Sequence, residues 1–265
     1  ETWEEQGETP KVMELMSNSC DYTPGTIPNT ICEDEGNGKI VLLTLACDLN
    51  GLMKVENFQN IEDVRLDWEI VAHTSHGQTY SIDHGSIGTF RRSRELNKGE
   101  KERDFERITW TYAHNQNNSV WPVLEEIMKK SYKTQTGKTM KISLTVIDTG
   151  FFTKYARAFI DGMKNSLVVG IKGKTEAADF RRLTKDTPLI TRSREGRNIY
   201  LQEVNQVKDL LAENMKLRKG MDGSQPEGFM NFPYSSAGKY TMKSFFIHFE
   251  GEKRTEVKKD DEVIG

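Results

Sequence analysis

The stretch "KISLTVIDTGFFTKYARAFIDGMK", residues 141–164, joins an uncharged apolar run to a helical pattern through a single acid. Four aliphatic residues lie between positions 142 and 147, which is typical of a buried strand. Asp148 follows, and Thr149-Gly150 predicts a turn. Apolar residues then recur at helical spacing, which predicts a helix over 152–165. The stretch therefore predicts a strand, a turn and a helix, with a carboxylate where the strand ends.

A second apolar run ends in the same way. "VLLTLACD", residues 41–48, is of strand length and ends at Asp48. Its continuous apolar run is expected for a strand buried on both faces. If strands 41–47 and 142–147 are parallel neighbours, Asp48 and Asp148 share the crevice at the carboxyl ends of the strands. Asp also forms turns after strands, and both "DLNG" and "DTG" have turn composition. The spacing alone therefore favours two ordinary turns over a site.

The order of the elements predicts a mixed α/β fold. Residues 39–88 predict a three-stranded antiparallel meander, because alternating apolar positions in 64–74 follow the first strand and a turn at 75–77 precedes the third. Meander, helix, strand, helix and strand in that order give a mixed sheet with helices on both faces. This layout resembles the ribonuclease H-like fold, in which the first strand and the strand after the first helix are adjacent. The elements after the meander are expected at 120–128, 142–147, 152–165 and 167–173.

The composition limits the function classes. The chain has 265 residues, of which 35% are apolar, and this is enough for one large domain. A net charge of −3 gives no global basic field for nucleic acid, and local basic clusters are usually solvated surface. Three cysteines without C-x-x-C spacing indicate a reduced, cytoplasmic protein. No run approaches the about 18 apolar residues of a membrane span, so we expect no membrane partner.

Two neighbouring carboxylates would have a defined chemistry. Like charges in one crevice repel unless a cation lies between them, and carboxylate oxygens suit Mg²⁺ or Mn²⁺. Two such ions can activate a water and stabilise the leaving oxygen of a phosphodiester. If Asp48 and Asp148 meet, they are therefore candidate catalytic and metal-binding residues of a hydrolase.

An ordered set of motifs covers nearly the whole chain. Each motif alone is degenerate, but the order of the set is specific. The set resembles the nuclease domain of the phage terminase large subunit, of the lambda gpA-like family. The motifs that carry the resemblance are "ETWEEQGE", "YTPGTIP", "LLTLACDLNGLMKVE", "LDWEIVAHTSHGQTYSIDHGSIG", "TVIDTGFFT", "VVGIKGK" and "PEGFMNFP".

The resemblance implies a domain organisation. Residues 1–38, which are polar and turn-rich, resemble the segment that links an upstream packaging ATPase to the nuclease, and 39–265 resemble the ribonuclease H-like nuclease domain. The ATPase itself is not expected in this chain, which has no G-x-x-x-x-G-K-[ST] motif. Because the chain starts at "ETWEEQGE" and stops after "EVKKDDEVIG", we expect a fragment that is truncated before the last helix of the nuclease domain.

The resemblance also implies the site residues. Asp48 and Asp148 correspond to the first two metal-binding acids of the family, which implies two Mg²⁺ or Mn²⁺ ions. The third acid of the family lies on a helix beyond the "NFP" motif. Asp260, Asp261 and Glu262 are available near the end of the chain, but we expect the third acid to lie outside it. In that case the fragment would bind DNA or metal weakly and be weakly active or inactive.

Several other residues are weaker candidates. Lys172 and Lys174 follow the strand after Asp148 and are predicted to contact DNA phosphates, with solvated surface as the alternative. Lys208 could be structural or face DNA. Asp83 in "SIDHG" could touch metal or be structural, and Cys47 is better explained as a small buried hydrophobe than as a nucleophile.

The resemblance implies an endonuclease that cuts concatemeric double-stranded viral DNA during packaging. Its implied partners are DNA, the small terminase subunit and the portal, and its implied location is the cytoplasm of the infected bacterial host. Two alternatives stay open. One is a non-catalytic ribonuclease H-like module that docks DNA or portal, and the other is a nuclease of the resolvase or transposase type.

Overall fold

The computed structural model shows a mixed α/β fold with two mixed sheets and few helices. The structure describes residues 15–16, 18–20, 22–28, 39–56, 59–88, 110–134, 137–163, 167–174, 190–193, 198–234, 240–241, 245–246 and 249. Every structural statement below concerns these residues. At residues 19, 52–56, 59–63 and 205 only the backbone is described.

The described elements are numbered in chain order. Three helices belong to them: α1 (Val120–Met128), α2 (Thr153–Gly162) and α3 (Val204–Met215). None of the described helices is long and apolar enough to cross a membrane. The strands are β1 (Ser19–Cys20), β2 (Thr26–Ile27), β3 (Ile40–Glu56), β4 (Gln59–Thr74), β5 (Thr79–Gly88), β6 (Ser131–Thr134), β7 (Thr139–Lys141), β8 (Leu144–Asp148), β9 (Val168–Lys174), β10 (Ile190–Arg192), β11 (Ile199–Glu203) and β12 (Met230–Pro233).

The large sheet has the order β1-β12-β5-β4-β3-β8-β9-β11-β10, and β2, β6 and β7 form a small second sheet. Strands β3, β4 and β5 are an antiparallel meander, as predicted. Strand β8 pairs in parallel with β3, from Thr44↔Leu144 to Cys47↔Ile147. This confirms the predicted adjacency of the two apolar runs. Strands β9 and β11 continue the parallel part of the sheet beyond β8.

The bounds of the two acid-bearing strands differ from the prediction. Strand β3 does not end at Asp48, because the "DLNG" segment continues the ladder and Asp48 pairs with Asp67 in the middle of the strand. The alternation of buried Leu45, Cys47 and Leu49 continues past the acid, so the long hairpin overrides the turn composition. In the run that ends at Asp148, β8 begins at Leu144 rather than at 142. The residues just before it form β7, which pairs with β6 in the small sheet.

Helices α1 and α2 cover one face of the large sheet. Helix α1 has the predicted bounds. Helix α2 begins one residue later than predicted, after Phe152 in the left-handed region at φ 48°, and it ends at Gly162 rather than at 165. The buried residues between helices and sheet form one apolar core, which stabilises the fold through burial. Its members include Leu43, Leu45, Leu66, Ile70, Trp121, Leu124, Ala156, Phe159 and Ile160.

Some of the described residues before position 39 belong to the apolar interior. Leu15, Tyr22 and Ile27 are buried. Strand β1 pairs with β12 at the edge of the large sheet, and β2 pairs with β6. The domain boundary near residue 38 stays a prediction.

The pairing of β4 with β5 ends at a glycine that no other residue should replace. Gly88 has φ +93°, and a Cβ there would lie 2.2 Å from the backbone oxygen of Val64. Gly137 provides a matched control, since it has φ +84° and a Cβ added there would meet nothing within 4 Å.

We predict that Gly137→Ala lowers the free energy of unfolding by about 1 kcal/mol, which is the usual cost of a left-handed L-residue. Gly88→Ala should cost at least about 2 kcal/mol more, because the backbone must also move. Urea unfolding of the two variants and the parent measures the difference. Equal losses would contradict the geometry at Gly88.

Candidate functional site

A cleft of about 570 Å³ lies on the face of the sheet opposite α1 and α2. Its floor is formed by β3, β4, β5, β8 and β9, and its walls include residues of α3 with Phe245 and Phe249. Four carboxylate side chains are among the residues that line it: Asp48, Asp67, Glu69 and Asp148. The cleft is therefore an acidic surface beside an apolar wall.

The structure brings the two acids predicted from sequence into this cleft. Cys47 pairs with Ile147, so Asp48 and Asp148 occupy the next position on two adjacent parallel strands and share one face. Both residues are exposed. The Gly150 N–H donates to Oδ1 of Asp148 at 2.7 Å, so the predicted turn after the strand also orients the carboxylate.

Asp67 is a third carboxylate of the cleft that the sequence did not single out. It pairs with Asp48 across the β3–β4 ladder. The Arg65 guanidinium forms an ion pair with Oδ2 of Asp67 at 2.7 Å, and the Ser86 hydroxyl donates to Oδ1 at 2.5 Å. The signal for it was the alternation in 64–74, which places every second residue opposite the apolar face. Arg65, Asp67 and Glu69 occupy those positions.

Asn50 links the carboxylates of the two antiparallel strands. Its Nδ2 donates to Oδ2 of Asp48 at 3.0 Å and to Oδ2 of Asp67 at 3.1 Å. The buried Tyr112 hydroxyl lies 3.0 Å from the backbone oxygens of both Asn50 and Arg65. This contact ties β3 to β4 from the core side, two positions along the ladder from the Asp48–Asp67 pair.

The electrostatics of Asp48 reflect its neighbours. Partial desolvation in the cleft raises the pKa of the Asp48 carboxyl above its ordinary value, whereas the hydrogen bond from Asn50 lowers it. The Asp148 and Asp67 carboxylates raise the pKa further, and the Arg65 charge lowers it. The site therefore accumulates negative charge that its own donors offset only in part.

The donor chemistry fits a hard divalent cation. Asp48 and Asp148 present carboxylate oxygens, the ligands preferred by Mg²⁺ and Mn²⁺, and a cation would relieve the repulsion between them. Asp67 is less suited to the role because Arg65 already neutralises it. Within the described part of the chain, no group of three or more His, Cys, Asp or Glu side chains is arranged to hold a metal ion. Asp48 and Asp148 are thus the two carboxylates best placed to bind a metal ion.

The three lysine candidates differ in their position relative to the cleft. Ile171 and Gly173 of β9 line the cleft, and by strand alternation Lys172 and Lys174 belong to the opposite face. Their predicted contact with DNA stays a prediction and would have to occur outside the cleft. Lys208 of α3, in contrast, lines the cleft.

Two further sequence candidates have structural roles. Asp83 is buried and accepts a hydrogen bond from the Tyr132 hydroxyl at 3.3 Å. Cys47 is buried in the core, and burial raises the pKa of its thiol, which agrees with its interpretation as a small hydrophobe. The candidates Asp260, Asp261 and Glu262 lie outside the described residues.

Glu69 is the most perturbed acid of the cleft. Its carboxylate accepts a hydrogen bond of 2.5 Å from the Ser81 hydroxyl, which also lies 2.8 Å from the Tyr240 hydroxyl. Burial raises the pKa of the Glu69 carboxyl to about 7, although the Ser81 hydrogen bond opposes the change. The folded protein therefore holds a proton on Glu69 at pH values where the unfolded chain has lost it.

We predict that Glu69 makes the fold less stable as the pH rises from about 4.5 to about 7, the ordinary and the raised pKa. In this window the native state binds more protons than the unfolded state, so the free energy of unfolding falls with pH and then levels off. Glu69→Gln should remove this component in urea unfolding at pH 5, 6, 7 and 8. The exposed Glu126→Gln should leave it unchanged, and parallel curves for parent and Glu69→Gln would contradict the prediction.

Comparisons with known proteins agree with the motifs. No curated protein and no solved structure matches the chain significantly. The family model described as terminase large subunit gpA, endonuclease domain, matches residues 1–264. Membership of this family implies a nuclease role in DNA packaging. The chain therefore belongs to the family of terminase large subunit gpA endonuclease domains.

Proposed function

We propose that this chain is a divalent-metal-dependent endonuclease domain that cuts concatemeric double-stranded DNA during viral packaging. The observation that carries the proposal is the meeting of Asp48 and Asp148 on adjacent parallel strands in one open cleft. Two carboxylates at neighbouring strand positions on a solvent-accessible face are costly without a counter-charge. Family membership supplies the reaction class for which such a pair is suited.

We also propose a ribonuclease H-like architecture for the central part of the sheet. Its support is the order β5-β4-β3-β8-β9, in which an antiparallel meander is followed by strands parallel to β3. Helix α1 lies between β5 and β8 along the chain, and α2 lies between β8 and β9. Both helices pack on the face away from the acids, which leaves the acidic face open to a substrate.

In the proposed mechanism, Asp48 and Asp148 would hold Mg²⁺ or Mn²⁺, in the form of two ions. Such ions supply an activated water and stabilise the leaving oxygen of the phosphodiester. The chain's own contribution is orientation. The Gly150 N–H fixes the Asp148 carboxylate, and the Asn50 amide holds Asp48 at a set distance from Asp67.

Family membership supports the proposed partners and location. The proposed substrate is double-stranded DNA in the cytoplasm of the infected bacterial host, and the proposed protein partners are the small terminase subunit and the portal. An ATPase motor is needed to move DNA, and the chain has no phosphate-binding G-x-x-x-x-G-K-[ST] motif. Cleavage rather than translocation is therefore the activity to test in this chain.

A non-catalytic DNA- or portal-docking module is the second candidate. One observation favours it, since the described residues contain no three-ligand group arranged for a metal. Such a module would bind DNA but leave the phosphodiester intact. The same cleavage experiment separates the two candidates.

We predict that the chain nicks supercoiled plasmid with Mn²⁺ or Mg²⁺ and is inactive with EDTA. Asp48→Asn and Asp148→Asn should each lower the rate at least about 100-fold, because each removes a charged ligand. Asp161→Asn is the matched control, since Asp161 is exposed on α2, away from the cleft. Absence of metal-dependent nicking by the parent chain would favour the docking module.

The Asp67→Asn variant tests whether Asp67 only positions its neighbours or binds the metal ion directly. Because Arg65 already pairs with Asp67, we expect this variant to keep measurable activity, with a loss of about tenfold. The apparent metal affinity, read from rate against Mn²⁺ concentration, should change less than in Asp48→Asn. A loss as complete as that of Asp48→Asn would make Asp67 a direct ligand.

A further inference from the structure

The packed face of α3 is interrupted by a lysine. Val204, Lys208, Leu211 and Met215 follow one another at helical spacing on the same side of α3. Leu211 and Met215 pack in the apolar cluster with Phe232 and Phe245. Lys208 is exposed and lines the acidic cleft. A charged residue therefore occupies this side of the helix at the point where α3 lines the cleft.

A glycine on the sheet brings this part of α3 close to the cleft floor. Helix α3 starts directly after β11, and the buried Glu203 caps it by accepting the Gln206 N–H at 2.5 Å. A Cβ at Gly173 of β9 would lie 2.6 Å from Cγ2 of Val204. Lys208 is one helical turn beyond Val204 and lines the same cleft as the acids.

The charge of Lys208 matters because DNA phosphate must approach an acidic floor. Asp48, Asp67 and Asp148 repel a phosphate at short range. Arg65 forms its ion pair with Asp67, and Lys172 and Lys174 are outside the set of lining residues. Among the described residues that line the cleft, Lys208 is the single lysine or arginine. Its flexible stem suits a point-charge contact with a phosphate oxygen.

We propose that Lys208 binds a backbone phosphate of the DNA next to the bond to be cut, and so positions the strand over Asp48 and Asp148. This inference rests on the proposed function and adds to it a substrate-positioning residue. The contact is to phosphate, so it carries no base specificity. The charge is the essential property, which an arginine preserves and an alanine removes.

The test combines a cleavage assay and a binding assay on the full chain. Lys208→Ala should slow plasmid nicking with Mn²⁺ about tenfold, and Lys208→Arg should restore most of the rate. Binding of a short fluorescent duplex, with Ca²⁺ in place of Mn²⁺, should show a slope of log Kd against log salt that is smaller by about one in Lys208→Ala. Lys216→Ala, just past the end of α3 and away from the cleft lining, should match the parent in both assays.

The outcomes separate this inference from the proposed function. If the parent cleaves but Lys208→Ala matches it in rate and salt slope, the role of Lys208 is overturned and the nuclease proposal stands. If the parent does not cleave but Lys208→Ala still lowers the salt slope, the phosphate contact stands and the nuclease proposal fails. A loss in Lys208→Ala that Lys208→Arg does not restore, with an unchanged salt slope, would assign Lys208 a packing role and overturn the inference.

Discussion

The parallel pairing of β3 with β8 is the constraint on which the site depends. Its register, from Thr44↔Leu144 to Cys47↔Ile147, places Asp48 and Asp148 side by side on the face opposite the core. A slip of one residue would turn one of the acids into the apolar core and expose its neighbours. The burial of Leu45, Cys47 and Ile147 prevents this slip. The geometry of the acids is therefore a consequence of the packing on the other face.

One face of the sheet stabilises the fold and the other destabilises it. One buries a continuous apolar core under α1 and α2, and the other collects carboxylates. There, desolvation and then repulsion by the neighbouring carboxylates raise the pKa of Asp48. Arg65, Asn50 and the Gly150 N–H offset part of that repulsion. A cation bound between Asp48 and Asp148 would remove more of it and stabilise the fold through binding to the native state. The charge imbalance is thus the physical reason to expect a ligand in the cleft.

Much of the fold could be predicted from sequence, because apolar runs and helical periodicity can be recognised in a single sequence. The bounds of α1, the meander and the adjacency of the two acidic strands were all predicted. The extension of β3 through "DLNG" was missed, since turn composition there yields to a long ladder. Asp67 and Lys208 were missed or left open because their roles depend on cross-strand register and on which way α3 packs. Lys172 and Lys174 lie on β9, where strand alternation decides which face of the sheet they occupy.

The central claim is that Asp48 and Asp148 bind divalent metal together. The most direct measurement is anomalous diffraction from crystals soaked in Mn²⁺, for the parent chain and for Asp148→Asn. The account predicts an anomalous peak at coordination distance from carboxylate oxygens of both Asp48 and Asp148, and its loss or marked weakening in the variant. A saturating soak that leaves this position empty, or that places Mn²⁺ elsewhere in the parent, would contradict the account.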